Sequence, residues 1–151
     1  MSVQVQAEVF DPTDEYRRLL AQSQGAAVAT FSGYVRDFSA SGAVTTLELE
    51  HYPGMAERVL EVLGAEACAR FGLRGFRIIH RFGPMSVNEI IVWVGTVADH
   101  RGEALAACEF IMDTLKTDAP FWKRETGEGG SQWVEARDAD TERRHRWVEA
   151  P

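Results

Sequence analysis

The most constraining feature of this sequence is the apolar run IIVWVGTVA, from Ile90 to Ala98. A membrane-spanning helix needs about 20 apolar residues, so this run is far too short to cross a bilayer. A short apolar run rich in β-branched residues is instead typical of a strand that is buried on both faces of a sheet. We therefore predict a central strand at this position.

Strand and helix patterns follow one another in mixed order around this run. Residues 2–10 alternate apolar and polar side chains as a strand does, and Asp11 with Pro12 then forms the start of a short helix that stops by Gly25. Further patterns predict strands in AAVATFSGYV, VTTLELEHY and FRIIHRFG, a helix from Met55 to Gly72, a turn in GPMSVNE, a helix from His100 or Arg101 that ends before Pro120, a hairpin of FWKRE and SQWVEA, and a last helix after Asp138.

Length and composition indicate one folded domain that spans residues 1–151. The chain is 45% hydrophobic and 26% charged, as is usual for a folded protein, and no linker, repeat or low-complexity segment divides it. Because strands and helices do not alternate regularly, we predict the α+β class.

Charge and targeting signals narrow the kind of partner. The formal net charge of -7 argues against binding to a nucleic-acid backbone or to an anionic membrane. The N-terminus lacks the pattern of a signal peptide, and a cytoplasmic location is expected. Cys68 and Cys108 both lie in helical patterns without a second ligand nearby, which indicates buried thiols rather than a disulfide or a metal site.

Several cations lie beside predicted element ends. His100 and Arg101 lie at a helix N-terminus, where backbone N–H groups and the helix dipole favour a phosphate or a carboxylate. Arg36 follows a strand that contains Phe31 and Gly33, and a guanidinium is well suited to phosphate. The alternatives are surface ion pairs, such as Arg36 with its neighbour Asp37, and simple helix capping by His100.

Two lysines bracket the junction LKTDAPFWK. Lys116 shares a helix face with Met112, and partial desolvation there would favour a neutral amine that can act as a nucleophile or base. Lys123 lies beside the aromatic pair FW, which can stack on a flat ligand. The alternative is that both are solvated lysines that complement the end of a helix.

The residues alone do not define a reaction. His51 and His80 lie at strand ends and are interpreted as structural histidines that bond a loop. No serine elbow, phosphate-binding glycine loop, dinucleotide fingerprint or metal-ligand cluster is present. The pattern predicts an acidic α+β domain with a cationic pocket for a phosphorylated planar ligand.

A set of motifs in fixed order adds a family resemblance. FSGYVRD, LELEHYPGM, IIHRFG, VADHRGEAL, FIMDTLKTDAPFWKRE and WVEARD together resemble the large catalytic subunit of molybdopterin synthase, from the first strand to about Trp147. The resemblance implies an α/β hammerhead-type fold with a mixed or antiparallel sheet and flanking helices. It also implies an enzyme that converts cyclic pyranopterin monophosphate to molybdopterin, using sulfur from the C-terminal thiocarboxylate of a small ubiquitin-like subunit.

The resemblance further implies an assembly and a set of residue roles. Two large subunits form a dimer with one small subunit at each end, and the step needs no metal or organic cofactor. The motif positions assign catalysis to Lys116 and Lys123, and they assign substrate binding to Arg36, His100, Arg101, Phe31, Met112 and, more weakly, Arg137. In the family the His100 and Arg101 pair can come from the neighbouring large subunit.

Two other functions compete with this interpretation. One is a regulatory domain that binds a pterin phosphate without catalysis, and the other is a module that only docks a ubiquitin-like partner. Retention of both lysines argues against the first, and the anion-binding residues argue against the second. Small departures from the family pattern, at Asp99, Gly102 and the loop SASGA, affect the expected anion site but not the lysines.

Overall fold

The computed structural model describes residues 2–39, 42–118, 120–127, 130–134 and 138–149. These ranges form two β-sheets and four helices, which confirms the α+β class. In chain order the elements are β1 (Val3–Gln6), α1 (Pro12–Gln22), β2 (Ala27–Tyr34), β3 (Phe38–Ser39), β4 (Gly42–His51), α2 (Met55–Phe71), β5 (Gly75–Arg81), β6 (Gly83–Ser86), β7 (Ile90–Ala98), α3 (Arg101–Asp118), β8 (Phe121–Gly127), β9 (Gly130–Val134) and α4 (Asp138–Glu149).

Four strands form the main sheet, in the order β1-β5-β7-β2. β1 pairs in parallel with β5, whereas β7 is antiparallel to both of its neighbours, so the sheet is mixed. Every residue of β7 except Ile91 is buried. A strand with partners on both edges and cover on both faces explains why its sequence is almost wholly apolar. The central strand predicted from the run IIVWVGTVA is therefore confirmed.

Helices cover both faces of the main sheet. On one face, Leu60 of α2 and Ile111 of α3 pack with Val94 in a core cluster. On the other face, Leu19 of α1 packs with Trp93. None of the helices in the described ranges has the length and apolar character that crossing a membrane requires.

A second sheet is built on β4, which pairs antiparallel with β3, β6 and β8, and β8 continues to β9. Its inner face carries Leu47, which packs with Val35 and Met85 beside the end of β2. The predicted hairpin of β8 and β9 is confirmed. The segment predicted as a turn before β7 instead contains β6, Gly83–Ser86. Among the residues that the structure describes, β6 pairs with β4 alone, and Pro84 is tolerated in such an edge strand.

The C-terminal helix α4 is anchored on α3 by a buried carboxylate. Asp113 is 6% exposed and accepts hydrogen bonds from Trp147 Nε1 at 2.7 Å, Arg143 Nε at 2.9 Å and an Arg146 guanidinium nitrogen at 3.0 Å. A buried carboxylate is stabilised only when such partners satisfy it. These contacts hold α4 against the helix whose last turn carries Lys116.

Candidate active site

Lys116 lies in the last turn of α3, which ends at Asp118 as the downstream Pro120 predicts. Its side chain is exposed in the single chain, so the partial desolvation expected for it is not supplied by the chain's own core. Burial, and to a smaller extent the charge of Lys116, lowers the pKa of His80 on β5. The charge of Lys116 therefore acts on the C-terminal end of β5.

Lys123 lies on the inner face of β8 and is held by a buried carboxylate. Its ammonium is 3.3 Å from Oε1 of Glu125, whose side chain is 7% exposed. Residues two apart on a strand point to the same face, which brings the pair together. An ammonium fixed in this way is suited to donate a proton or to stabilise a developing negative charge.

Phe121 links the two lysines to the main sheet. It begins β8, five residues after Lys116 and two before Lys123. Its ring is stacked on the imidazole of His80, with a centroid distance of 3.9 Å and an interplanar angle of 13°. Since His80 lies on β5, the segment that carries both lysines is packed directly against one end of the main sheet.

Phe31 lies on β2, on the face of the main sheet that α3 covers. Its ring, 40% exposed, lies over Gly33, where an added Cβ would come within 3.2 Å of it. Gly33 pairs with Val92, which pairs in turn with His80, so all three point to this same face. The ring of Phe31 and the buried, stacked histidine thus flank the same end of the sheet, where a planar ligand could contact the exposed ring of Phe31.

Arg36 and Met112 extend this region. Arg36 lies exposed two residues beyond β2, and it forms no ion pair with Asp37 or with any other carboxylate in the described ranges. Met112 is 8% exposed and lies one helical turn before Lys116, where it belongs to the core cluster. The guanidinium of Arg36 is therefore available to bind an anion. Met112 packs in the core one turn before Lys116.

His100 and Arg101 lie at the other end of α3. The helix begins at Arg101, as predicted, and both side chains are exposed. Lys116 lies fifteen positions after Arg101, which at the rise of an α-helix is about 22 Å. One chain therefore does not bring this pair to the lysines. Asp99, the unexpected neighbour of the pair, is engaged by Arg74, whose hydrogen bond lowers the pKa of its carboxyl group.

In the part of the chain that the structure describes, the cysteines and acidic side chains do not form a second candidate catalytic or metal site. Cys68 and Cys108 are both free, and burial raises the pKa of the Cys108 thiol to about 11, which disfavours a nucleophilic thiolate. Among the described residues, no group of three histidine, cysteine, aspartate or glutamate side chains could hold a metal ion.

Sequence reasoning missed Glu125 in this region, and it named His80 only as a structural histidine, which agrees with its burial and its hydrogen bond to the backbone of Arg81. A period of two in FWKRE does place Phe121, Lys123 and Glu125 on one face, but it does not reveal that the carboxylate is buried. For the two lysines themselves the sequence holds a stronger signal. Of the chain's 16 Lys and Arg residues 14 are arginines, so Lys116 and Lys123 are its only lysines. Arg137, the weaker anion-site candidate, lies outside the described residues.

Comparison with known proteins places this geometry in a family. The fold and site define an α+β protein in which two lysines and an exposed arginine, Arg36, lie near one end of a mixed sheet. A family model described as "MoaE protein" matches residues 5–118, which is 114 of the 151 residues. The chain belongs to this family.

Individual relatives agree with this assignment. The chain is 47% identical over 150 residues to a protein of Pseudomonas aeruginosa named molybdopterin synthase catalytic subunit, with 99% of this chain and 100% of that one covered. A solved MoaE protein from Burkholderia ambifaria superposes with a TM-score of 0.83 at 44% identity, covering 99% of both chains. A structure from Staphylococcus aureus described as molybdopterin synthase gives a TM-score of 0.79 at 30% identity, covering 89% of this chain and 98% of that one.

Proposed function

We propose that this chain is the catalytic subunit of a molybdopterin synthase, which converts cyclic pyranopterin monophosphate to molybdopterin by adding two sulfur atoms as a dithiolene. Membership of the family and the name of the Pseudomonas relative support this function. The observation that carries it is local: the only two lysines of the chain flank the stacked pair of Phe121 and His80, and one of them is held by a buried carboxylate.

The sulfur donor in this proposal is a small ubiquitin-like subunit with a C-terminal thiocarboxylate. Two copies of the present chain form a dimer and bind one small subunit at each end. A donor tail that ends in glycines is narrow enough to approach the lysine amines closely. The word "catalytic subunit" in the relative's name supports the existence of a second kind of subunit.

Each transfer proceeds in two steps. The thiocarboxylate sulfur attacks a substrate carbon, and a carbon–sulfur bond forms as the bond from that carbon to its oxygen substituent breaks. The oxygen leaves with the electron pair and takes up a proton, and the acyl end of the donor stays on the new sulfur. Water then cleaves the acyl–sulfur bond, so the sulfur stays on the substrate and the donor leaves as a carboxylate. A second charged donor repeats the sequence. Lys116 lies beside the reacting carbon, and Lys123 stabilises the developing negative charge or transfers a proton.

Cationic and apolar residues other than the two lysines bind the substrate in this proposal. Arg36 binds anionic groups of the substrate, while Phe31 packs on the flat pterin and Met112 supports it from below. His100 and Arg101, about 22 Å from Lys116 in one chain, hold the substrate phosphate in the site of the other copy. Arg137 is a further candidate for contact with an anion. The proposed step uses no metal or organic cofactor.

We also propose that residues 1–151 act as a single domain in the cytoplasm. The two cysteines are both free thiols, as is usual in a reducing compartment.

A single-turnover assay tests the function. The protein is mixed with a thiocarboxylated small subunit and cyclic pyranopterin monophosphate, and the dithiolene product is quantified for the wild type, Lys116→Ala and Lys116→Arg. Since arginine keeps the charge but cannot supply a neutral amine, both variants should lose product by about 100-fold or more. Arg17→Ala, which removes an exposed cation on α1, is the matched control and should react as the wild type does.

The outcomes separate the competing functions. Product from the wild type and the control, with almost none from either Lys116 variant, supports the synthase. Tight binding of the precursor with no product from the wild type instead favours a regulatory domain that binds pterin phosphates.

A further inference from the structure

Four rings form a column between the two sheets, which we call the ring column. The ring centroids of His80 and Phe121 are 3.9 Å apart. The centroids of Phe121 and His51 are 6.1 Å apart, with an interplanar angle of 23°, and those of His51 and Phe82 are 4.0 Å apart. His80 belongs to the main sheet, whereas Phe121 and His51 are paired residues of the second sheet. The column therefore bridges the two sheets at the place where α3 gives way to β8.

His80 is fixed in this column by more than stacking. Its Nδ1 lies 2.8 Å from the backbone carbonyl oxygen of Arg81. Because a carbonyl oxygen only accepts hydrogen bonds, Nδ1 carries the hydrogen, and in the uncharged ring Nε2 keeps a lone pair. The side chain is 4% exposed, so both the rotation of the ring and its tautomer are determined by the protein.

The uncharged form of His80 follows from its surroundings. The pKa of the imidazole is lowered to about 4, mainly by burial; the hydrogen bond to Arg81 opposes this shift, and the charges of Lys116 and His51 add to it. At neutral pH the ring therefore adds no second positive charge beside the amine of Lys116. It acts as a flat, rigid surface with one fixed hydrogen bond.

Phe121, on which His80 stacks, lies in the chain segment between Lys116 and Lys123. Phe121 is the first residue of β8, and Lys123 follows on the same face of that strand. On the other side, Pro120 separates Phe121 from the end of α3 and Lys116. A shift of Phe121 would therefore move both lysines relative to Phe31 and the rest of the main sheet. A displacement of about 1 Å at a reacting group is enough to reduce a rate about 100-fold.

We propose that His80 is a positioning residue, which fixes Phe121 and thereby Lys116 and Lys123 against the main sheet through an uncharged, hydrogen-bonded ring. This inference rests on the proposed function for its effect on sulfur transfer. His80 does not touch the substrate in this role. It acts through the ring of Phe121.

Three substitutions separate the parts of this role. His80→Phe keeps a ring for stacking and loses the hydrogen bond to Arg81, whereas His80→Asn keeps a donor near the position of Nδ1 and loses the ring. His80→Ala loses both. Ile79→Val, a change of the next residue on the opposite face of β5, is the control for a small loss of core packing. Circular dichroism first checks that each variant is folded.

The kinetic test separates positioning from binding. In single-turnover assays at saturating precursor, His80→Ala should lower the rate constant about 30-fold or more, whereas the precursor Kd should change less than about threefold. His80→Phe should recover most of the rate, and His80→Asn should not. A wild-type rate in His80→Ala overturns the proposal, and so does a loss in His80→Phe as large as that in His80→Ala.

A second readout does not depend on turnover. Since the chain has only two lysines, acetic anhydride labelling followed by mass spectrometry reports the relative reactivity of Lys116 and Lys123 directly. Their ratio should change about threefold or more in His80→Ala and stay unchanged in Ile79→Val. If the wild type makes no product but this ratio depends on His80, the proposed function fails while the positioning role stands. An unchanged ratio in His80→Ala overturns the positioning role.

Discussion

The ammonium of Lys123 lies 3.3 Å from the carboxylate of Glu125, and the carboxylate is the more deeply buried partner, with 7% of its side chain exposed against 35%. On the outer face of the same strand, Arg124 is paired with Glu48 at 2.7 Å, and both side chains are about one-third exposed. Two ion pairs of similar chemistry thus lie on opposite faces of β8. Only the inner one lies on the same face as Phe121.

The inner pair should matter for catalysis. Glu125→Gln keeps the shape of the side chain but removes the charge that orients Lys123, and it should lower the single-turnover rate about tenfold or more. Glu48→Gln removes the outer pair and should leave the rate unchanged, because an exposed pair contributes about 0–1 kcal/mol. Equal effects of the two substitutions on the rate would contradict a role for the Lys123 and Glu125 pair.

The buried histidine should make stability depend on pH. The pKa of His80 is about 4 in the folded chain, mainly because of burial, and 6.5 is the ordinary value expected in the unfolded chain. Below pH 6.5 the unfolded state binds a proton that the folded state does not, so stability is lost as the pH falls toward 4. The lowered pKa of His80 makes the free energy of unfolding depend on pH by about 3 kcal/mol in total, and about 2 kcal/mol of this stability is lost between pH 7 and pH 5.

Denaturant unfolding of the wild type and His80→Phe at these two pH values measures that contribution. The variant lacks the titrating group, so its unfolding free energy should fall by about 2 kcal/mol less than that of the wild type over this interval. Parallel losses in the two proteins would show that other groups cause the pH dependence.

A buried ion pair on the far side of the main sheet should contribute to the stability of the fold and not to catalysis. Arg77 Nε lies 2.5 Å from Glu15, and their side chains are 3% and 7% exposed. Glu15→Ala removes the carboxylate that accepts a hydrogen bond from the buried Arg77 guanidinium, and it should reduce the unfolding free energy by about 3–5 kcal/mol. Asp14→Ala breaks the exposed pair with Arg17 and should change it by less than about 0.5 kcal/mol. Folded Glu15→Ala should still turn over at the wild-type rate.

Two inactive variants should restore each other if the site is shared between copies. A 1:1 mixture of Lys116→Ala and Arg101→Ala, refolded together, forms mixed dimers as half of its population, and each mixed dimer has one intact site. About a quarter of the wild-type product should therefore appear in single turnover. A mixture as inactive as its components would show that Lys116 and Arg101 act within one chain, against their separation along α3.

Element ends were predictable wherever a local side chain or glycine determines them. Asp11 accepts a hydrogen bond from the N–H of Thr13 at 2.8 Å, which is the cap predicted for α1. α2 ends at Gly72 with a φ of 64°, a left-handed conformation that glycine adopts without strain. Pro120 limits α3 by its effect on the preceding residue. None of these signals depends on distant parts of the chain.

Features that depend on distant pairing were not predictable. The second sheet exists because β4 pairs with β6 and β8, and the registers of Leu47 with Met85 and with Glu125 leave no mark in a single sequence. The same holds for the site. Spacing and resemblance indicated Lys116 and Lys123, but the stacking of His80 on Phe121 joins segments about 40 residues apart, and its geometry follows only from the packed structure.

The single helix α3 carries Arg101 at its first residue and Lys116 in its last turn. If these ends belong to two different sites of a dimer, the helix is a rigid rod with one end in each site. A shift of α3 along its axis when a substrate binds at one end would then displace the residue at the other end as well. Communication between the two sites would then require no additional element, and the rate of the second turnover would depend on whether the first site is occupied.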